Sequence, residues 1–198
     1  PNFVSVPFQG SLLHRGTVQS VSPDALTLEA SPGWVVNQLA AQDGFVQYLA
    51  LLRTDASDSP GAEGDWWTVT ANGADSLTLA TRGEDLTSVL AAGDEIEVRR
   101  LISMKDIFGS GADLKLIADT DFDILTSQED VIRFIQGVSF TGEVFYHDGT
   151  PADTGYYFNG SRVGTGDGST LTLMPNEPFL VFRKTGSAPL ELLLSGSV

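Results

Sequence analysis

Three carboxylates alternate in one stretch of the sequence, at Asp119, Asp121 and Asp123. Alternating aspartates bring several hard oxygen ligands together, which is how many calcium-binding loops begin. The EF-hand pattern is not completed, because Ile124 stands where the loop needs glycine and Asp130 where a bidentate glutamate is expected. The three aspartates are therefore a candidate calcium site outside the EF-hand class, and the alternative is a solvated acidic loop. The sequence predicts no other cofactor.

The residues that usually carry catalysis form no recognisable group. The two histidines, His14 and His147, lie beside polar residues near predicted turns, and we expect them to be surface or turn-supporting residues. No Gly-x-Ser-x-Gly sequence marks a nucleophilic serine, and no cysteine is present to supply a thiolate. The 26 acidic residues always include pairs that could serve a glycosidase, so their number is uninformative. The sequence therefore predicts a protein that is not an enzyme and has no catalytic residues.

Aromatic residues near predicted turns are the side chains that a carbohydrate-binding surface would use. Neighbouring residues of a strand point to opposite faces, so one member of Trp66-Trp67 and of Tyr156-Tyr157 can be exposed. We take Trp34, Trp66 and Tyr156 as candidate ligand-binding residues. The competing interpretation, that these rings pack inward, is favoured because aromatic residues are the normal filling of β cores.

The element that would position these side chains is a β-hairpin over residues 65–79. Apolar residues alternate over 67–71, and Asn72-Gly73 supplies residues that tolerate positive φ in the turn. The same pattern occurs over residues 17–28, so the sequence predicts an internal strand-turn-strand repeat. Six residues match at a constant offset of 51 positions: Thr17, Val18, Asp24, Leu26, Thr27 and Leu28, with Thr68, Val69, Asp75, Leu77, Thr78 and Leu79.

The spacing of strand signals predicts an all-β fold. Apolar runs separated by turn residues recur about every ten residues, which is typical of antiparallel sandwiches and barrels. We predict two small antiparallel barrel or sandwich subdomains, residues 1–102 with the internal repeat and residues 103–198 as a meander. Residues 103–109 predict a short helix near the boundary. Residues 131–136 are compatible with a helix or a strand, and we predict a strand because the segment is short and β-branched.

Composition excludes some classes of partner. The 198-residue chain has a formal net charge of −15, a field that repels nucleic-acid phosphates and anionic lipid headgroups. No apolar run approaches the ~20 residues of a membrane-spanning helix. The chain starts at Pro1 without an initiator methionine, from which we expect an exported domain whose signal peptide has been removed.

Several stretches resemble, in order, those of a known family: VSVPF, RGTVQSVSPDALTLEASPGWVVNQL, WWTVTANGADSLTLA, LAAGDEIEVRRL, YYFNGSRVG and LMPNEPFLVFR. The family consists of secreted β-rich proteins of unknown function described chiefly from verrucomicrobial genomes. The resemblance spans nearly the whole chain, and its most specific part is TVTANGADSLTL. It implies export and a β-rich surface protein, and it implies no catalytic residue.

Apolar strands at both ends of the chain predict a subunit interface. Few charges discourage edge pairing there, so such a strand can complete a neighbouring subunit's sheet. We expect Gln9-Gly10-Ser11 to be a flexible link that lets the first strand swing away, although closure within one chain remains an alternative. The predicted interface residues are Phe3, Val4, Val6 and Phe8 with Leu190, Leu192 and Leu194.

Together these features predict an exported structural protein that self-assembles at the cell surface or outside the cell. We expect a homopolymer, in the form of a filament or layer held by terminal-strand pairing. The alternative is an extracellular carbohydrate-binding module that uses exposed aromatics and the acidic loop.

Overall fold

The computed structural model describes residues 2–5, 10–56, 63–120, 130–136, 139–175, 177–183 and 190, with residues 2–5 described by their backbone. Strands far outnumber helices among these residues, which confirms the all-β prediction, and they form a closed antiparallel barrel and a second antiparallel sheet. The chain divides into two units, Gly10–Leu101 and a unit that combines Pro1–Gln9 with Ile102–Val198. No helix in the described ranges has the length and apolar character needed to span a membrane.

The unit Gly10–Leu101 is a six-stranded barrel. Its strands are β2 (Leu12–Ser22), β3 (Ala25–Leu28), β4 (Tyr48–Thr54), β5 (Trp66–Asn72), β6 (Ser76–Ala80) and β7 (Glu95–Arg100). They are hydrogen-bonded in the order β2-β3-β6-β5-β4-β7, and β7 pairs with β2 to close the barrel. Alternate residues point inward, so Val18, Leu52, Val69 and Ile96 from four different strands meet in one core.

The two hairpins of the sequence repeat have corresponding registers. Val18 pairs with Leu28 and Val69 with Leu79, and each first strand carries a bulge immediately after that pair. Strands β3 and β6 lie side by side with Leu26 opposite Leu77, which are matching residues of the two copies. The hydrogen bonds around this pair are also reciprocal: the amide of Leu28 donates to the Asp75 carbonyl and that of Leu79 to the Asp24 carbonyl, both at 2.8 Å.

The turn of the second hairpin differs from the expected one. Neither Asn72 nor Gly73 has positive φ, and Asn72 is the last residue of β5. The side chain of Asn72 is instead buried and bonded to the segment that follows β3. The expectation of a positive-φ turn was wrong because it took Asn72 for a turn residue, although its side chain is needed by a distant part of the barrel.

The second unit contains a six-stranded antiparallel sheet. Its strands are β1 (Asn2–Ser5), β8 (Val131–Gln136), β9 (Ser139–His147), β10 (Gly155–Phe158), β11 (Ser161–Arg162) and β12 (Pro178–Phe182), in the order β1-β12-β8-β9-β10-β11. The strand prediction for residues 131–136 is confirmed. The predicted helix is α1 (Met104–Phe108), whose amino end is closed by a capping box between Ser103 and Asp106. Phe108 packs edge-to-face on Phe179 of β12, with 6.0 Å between ring centroids.

The position of β1 differs from the sequence-based division of the chain. The first subdomain was expected to comprise residues 1–102, but β1 belongs to the second unit. The physical reason is that β1 forms an antiparallel ladder with β12, whereas the barrel closes without it. Because the strand and its partner are separated by the whole barrel sequence, local pattern could not reveal this pairing.

Candidate interface strand and binding clefts

Strand β1, the predicted interface strand, lies at the edge of the second unit's sheet. Phe3 is opposite Leu180 and Val4 is opposite Phe179, and this pairing is made within one chain. Leu190 is half-buried. The other predicted interface residues, Val6, Phe8, Leu192 and Leu194, lie outside the described residues.

Two residues of the connection between β1 and the barrel, Gly10 and Ser11, are held by hydrogen bonds to the end of β7. A Cβ atom added to Gly10 would overlap the Arg100 carbonyl oxygen, so only glycine fits there. The amide of Arg100 donates to the Ser11 carbonyl at 2.9 Å, and Nη1 of Arg99 donates to the Gly10 carbonyl at 3.3 Å. The expectation of a flexible link across residues 9–11 was therefore wrong for Gly10 and Ser11, because both are bonded to the end of β7.

The strand that receives β1 is deeply buried. In β12, Phe179, Leu180 and Val181 are all buried, and β8 pairs with the edge opposite β1. A central strand of this kind leaves a row of unpaired backbone groups if its neighbour departs. Departure of β1 would therefore leave that edge of β12 without a partner strand.

Trp66 lines a cleft on the barrel. The cleft has a volume of about 360 Å³, and the Arg82 guanidinium lies 4.4 Å from the centre of the Trp66 ring. Arg82 has φ of 53°, a left-handed conformation that is unfavourable for a residue other than glycine. The indole nitrogen of Trp67 donates to Glu84 at 3.3 Å. An aromatic ring, a cation and carboxylates thus surround one concave site lined by Asp65, Trp66, Trp67, Thr81, Arg82 and Glu84.

The other two candidate ligand-binding aromatics do not meet the expectation of exposure. Trp34 is buried in the barrel core, edge-to-face with His14 at 5.5 Å. Tyr156 is fully buried, burial raises the pKa of its phenol, and its hydroxyl donates to the Gly109 carbonyl at 2.7 Å. The expected exposure of Trp34 and Tyr156 was wrong, and the competing interpretation of inward packing holds for both rings. Large rings bury more apolar area than other side chains, so they are commonly found in β cores.

Asp119 is engaged in a buried pair with His147. Their Oδ2 and Nδ1 atoms are 2.7 Å apart, and both side chains are almost completely buried. His147 is therefore neither a surface residue nor part of an exposed turn. Asp121 and Asp123, the other predicted calcium ligands, lie outside the described residues. Within the residues that are described, no group of three or more His, Asp or Glu side chains is arranged to hold a metal.

A charged cluster lies on strand β7. Glu97 is 1% exposed, and it accepts a hydrogen bond of 2.7 Å from Nε of Arg99 and another from Arg15. Burial would raise the pKa of the Glu97 carboxyl, but the bonds and charges of Arg15 and Arg99 outweigh it and hold the pKa below its usual range. The carboxylate is therefore a fixed negative charge between cations.

The structure also presents an aromatic surface that the sequence-based candidates omitted. Phe140 of β9 is 55% exposed and lies 6.1 Å from the ring of Phe182. The Arg133 guanidinium lies beside both rings and is bonded to Glu143. A signal existed in the sequence: Arg133 and Glu143 carry opposite charges, and the register of β8 and β9 places them directly opposite each other.

Comparison of this chain with models of known protein families, with curated proteins and with solved structures finds no match.

Proposed function

We propose that this protein is an exported, non-enzymatic structural subunit that assembles outside the cell into a filament or layer by exchange of strand β1. One observation carries the proposal: β1 completes a sheet from which it is separated in sequence by an entire barrel. The four residue pairs between β1 and β12 can be made with the same chain or with a second copy, because a backbone ladder does not depend on how its strands are connected.

The two arrangements differ in chain connectivity and not in the contacts that β1 makes with β12. Exchange keeps every β1–β12 hydrogen bond and gives up only the high local concentration of a tethered strand. It is therefore favoured at high protein concentration, or where the intramolecular route is strained. A strand donated to the next copy makes a head-to-tail contact that does not close, so repeated exchange produces fibres.

Engineered disulfides test the exchange directly, since the chain has no cysteine of its own. Phe3→Cys and Leu180→Cys are placed in separate chains, which are mixed, incubated at high concentration and oxidised. We expect a disulfide-linked dimer between the two variants, because positions 3 and 180 are directly opposite. The doubly substituted chain should then give a ladder of covalent multimers on a non-reducing gel.

The matched control pairs Val4→Cys with Leu180→Cys. Successive residues of a strand point to opposite faces, so this pair should not form the bond efficiently. Exchange is contradicted if the Phe3→Cys and Leu180→Cys chains never cross-link to each other, the doubly substituted chain closes only on itself, and the parent protein scatters light as a monomer.

A second candidate function is carbohydrate binding at the Trp66 cleft. Its support is the combination of an indole ring, carboxylates and a hydroxyl around one concave site of about 360 Å³. Calorimetric titration with soluble oligosaccharides tests it. Binding that is present in the parent and lost in Trp66→Ala supports this function, and binding that is unaffected by that substitution excludes the cleft.

A further inference from the structure

The Phe140 platform is the surface formed by Phe140, Phe182 and the Arg133 side chain on strands β8, β9 and β12. The Arg133 guanidinium lies 5.4 Å from the centre of the Phe140 ring and 5.0 Å from that of Phe182. Its Nε donates to Glu143 at 2.7 Å. Stacking and pairing together fix the guanidinium in place, so this cation is preorganised and is not a mobile surface side chain.

The platform borders a depression of about 220 Å³ with polar groups on its other sides. Asn159 accepts from the Glu143 amide at 2.9 Å through its side-chain oxygen, which fixes the orientation of its amide group. For Arg133, the described residues provide a hydrogen-bond partner only at Nε, so both Nη groups remain available. The depression is lined by Arg133, Phe140, Thr141, Gly142, Glu143 and Asn159.

Charge decides which ligand class fits. The Arg133 charge is balanced by Glu143, and the chain as a whole carries −15, so an anionic ligand has little to gain and is repelled at long range. A cationic ligand would meet the Arg133 guanidinium. A purely apolar ligand would bury the free Nη groups and the Glu143 carboxylate without partners, which is costly.

We infer that the Phe140 platform binds a neutral saccharide. The exposed Phe140 ring offers an apolar face for the C–H side of a pyranose ring, and Arg133, Glu143 and Asn159 offer donors and acceptors for its hydroxyl groups. The site is independent of strand exchange, and it lies in a different unit from the Trp66 cleft.

The test is calorimetric titration of the full chain with uncharged hexasaccharides of glucose, xylose and N-acetylglucosamine. We expect at least one of them to bind. Phe140→Ala should weaken that binding about tenfold or more, because it removes one stacking contact and the apolar area that the ring buries. Phe140→Tyr should retain most of the affinity because it keeps the ring. Circular dichroism and thermal unfolding verify that the substituted chains remain folded, which the exposure of Phe140 predicts.

Trp66→Ala is the matched control, since it removes the competing aromatic site and should leave this binding unchanged. The inference is overturned if none of the three sugars binds, if Phe140→Ala binds as well as the parent, or if binding is lost in Trp66→Ala.

Discussion

Asn72 is a buried polar residue whose replacement tests how the barrel holds its longest described connection. Its side chain is 4% exposed; its oxygen accepts from the Leu39 amide at 2.7 Å, and its nitrogen donates to the carbonyls of Val35 and Gly73 at 2.9 and 2.8 Å. The Asn37 amide donates to the Asn72 carbonyl at 2.9 Å. One residue at the end of β5 thus anchors the segment that carries Trp34 into the core.

Asn72→Ala removes the three side-chain bonds and keeps the backbone one. The largest loss is at Leu39, which is fully buried and whose amide would have no partner, at a cost of about 1–3 kcal/mol. The Val35 carbonyl is less affected, because it still accepts from the Gln38 amide at 3.0 Å and its residue is exposed to water. We therefore expect the free energy of unfolding of the barrel to fall by about 2–3 kcal/mol.

Urea unfolding followed by tryptophan emission measures this change, since all three tryptophans lie in the barrel. Hydrogen exchange should locate it, with faster exchange at the Leu39 amide. Thr70→Ala on the same strand is the control, because Thr70 is exposed and loses a single bond of 3.1 Å to the Thr78 carbonyl. A loss below about 0.5 kcal/mol in Asn72→Ala, with Leu39 still protected, would refute the anchoring role.

Two further predictions concern charges. Glu97→Gln should lower the free energy of unfolding by about 2–3 kcal/mol at neutral pH, because it leaves the mostly buried Arg99 without its carboxylate. Since the pKa of Glu97 is lowered in the folded state, its stabilisation is complete above the unfolded value of about 4.3 and is lost as pH falls through the folded pKa. The difference between parent and variant in urea unfolding should therefore shrink in acid, and a difference that is constant with pH would contradict this assignment. For the proposed calcium site, calorimetry should show heat with the parent and none with Asp121→Ala; a parent that gives no heat and no calcium-dependent change in unfolding temperature has only a solvated loop there.

Features that depend on neighbouring residues could be predicted from the sequence. The hairpins over residues 17–28 and 68–79, the capped helix at Ser103 and the strand over 131–136 follow from local alternation, capping chemistry and β-branching. The sequence also indicated that the two aromatic residues of each adjacent pair point to opposite faces of their strand. It could not show which of those faces are exposed to solvent. Trp66 is partly exposed beside a buried Trp67, whereas Tyr156 and Tyr157 are both buried, because strand β10 is covered on both sides.

The sequence by itself determined an all-β chain built from antiparallel hairpins, since a period of two residues and the chemistry of turns are local properties. Only the tertiary structure decided which edges meet. The closure of the barrel by β2 and β7, the pairing of β1 with β12, the burial of Asn72 against Leu39 and the assembly of the Phe140 platform all join residues that are far apart in the chain. Each of these contacts gains its free energy from area buried or hydrogen bonds made across the fold, and that gain appears only when distant strands are brought together.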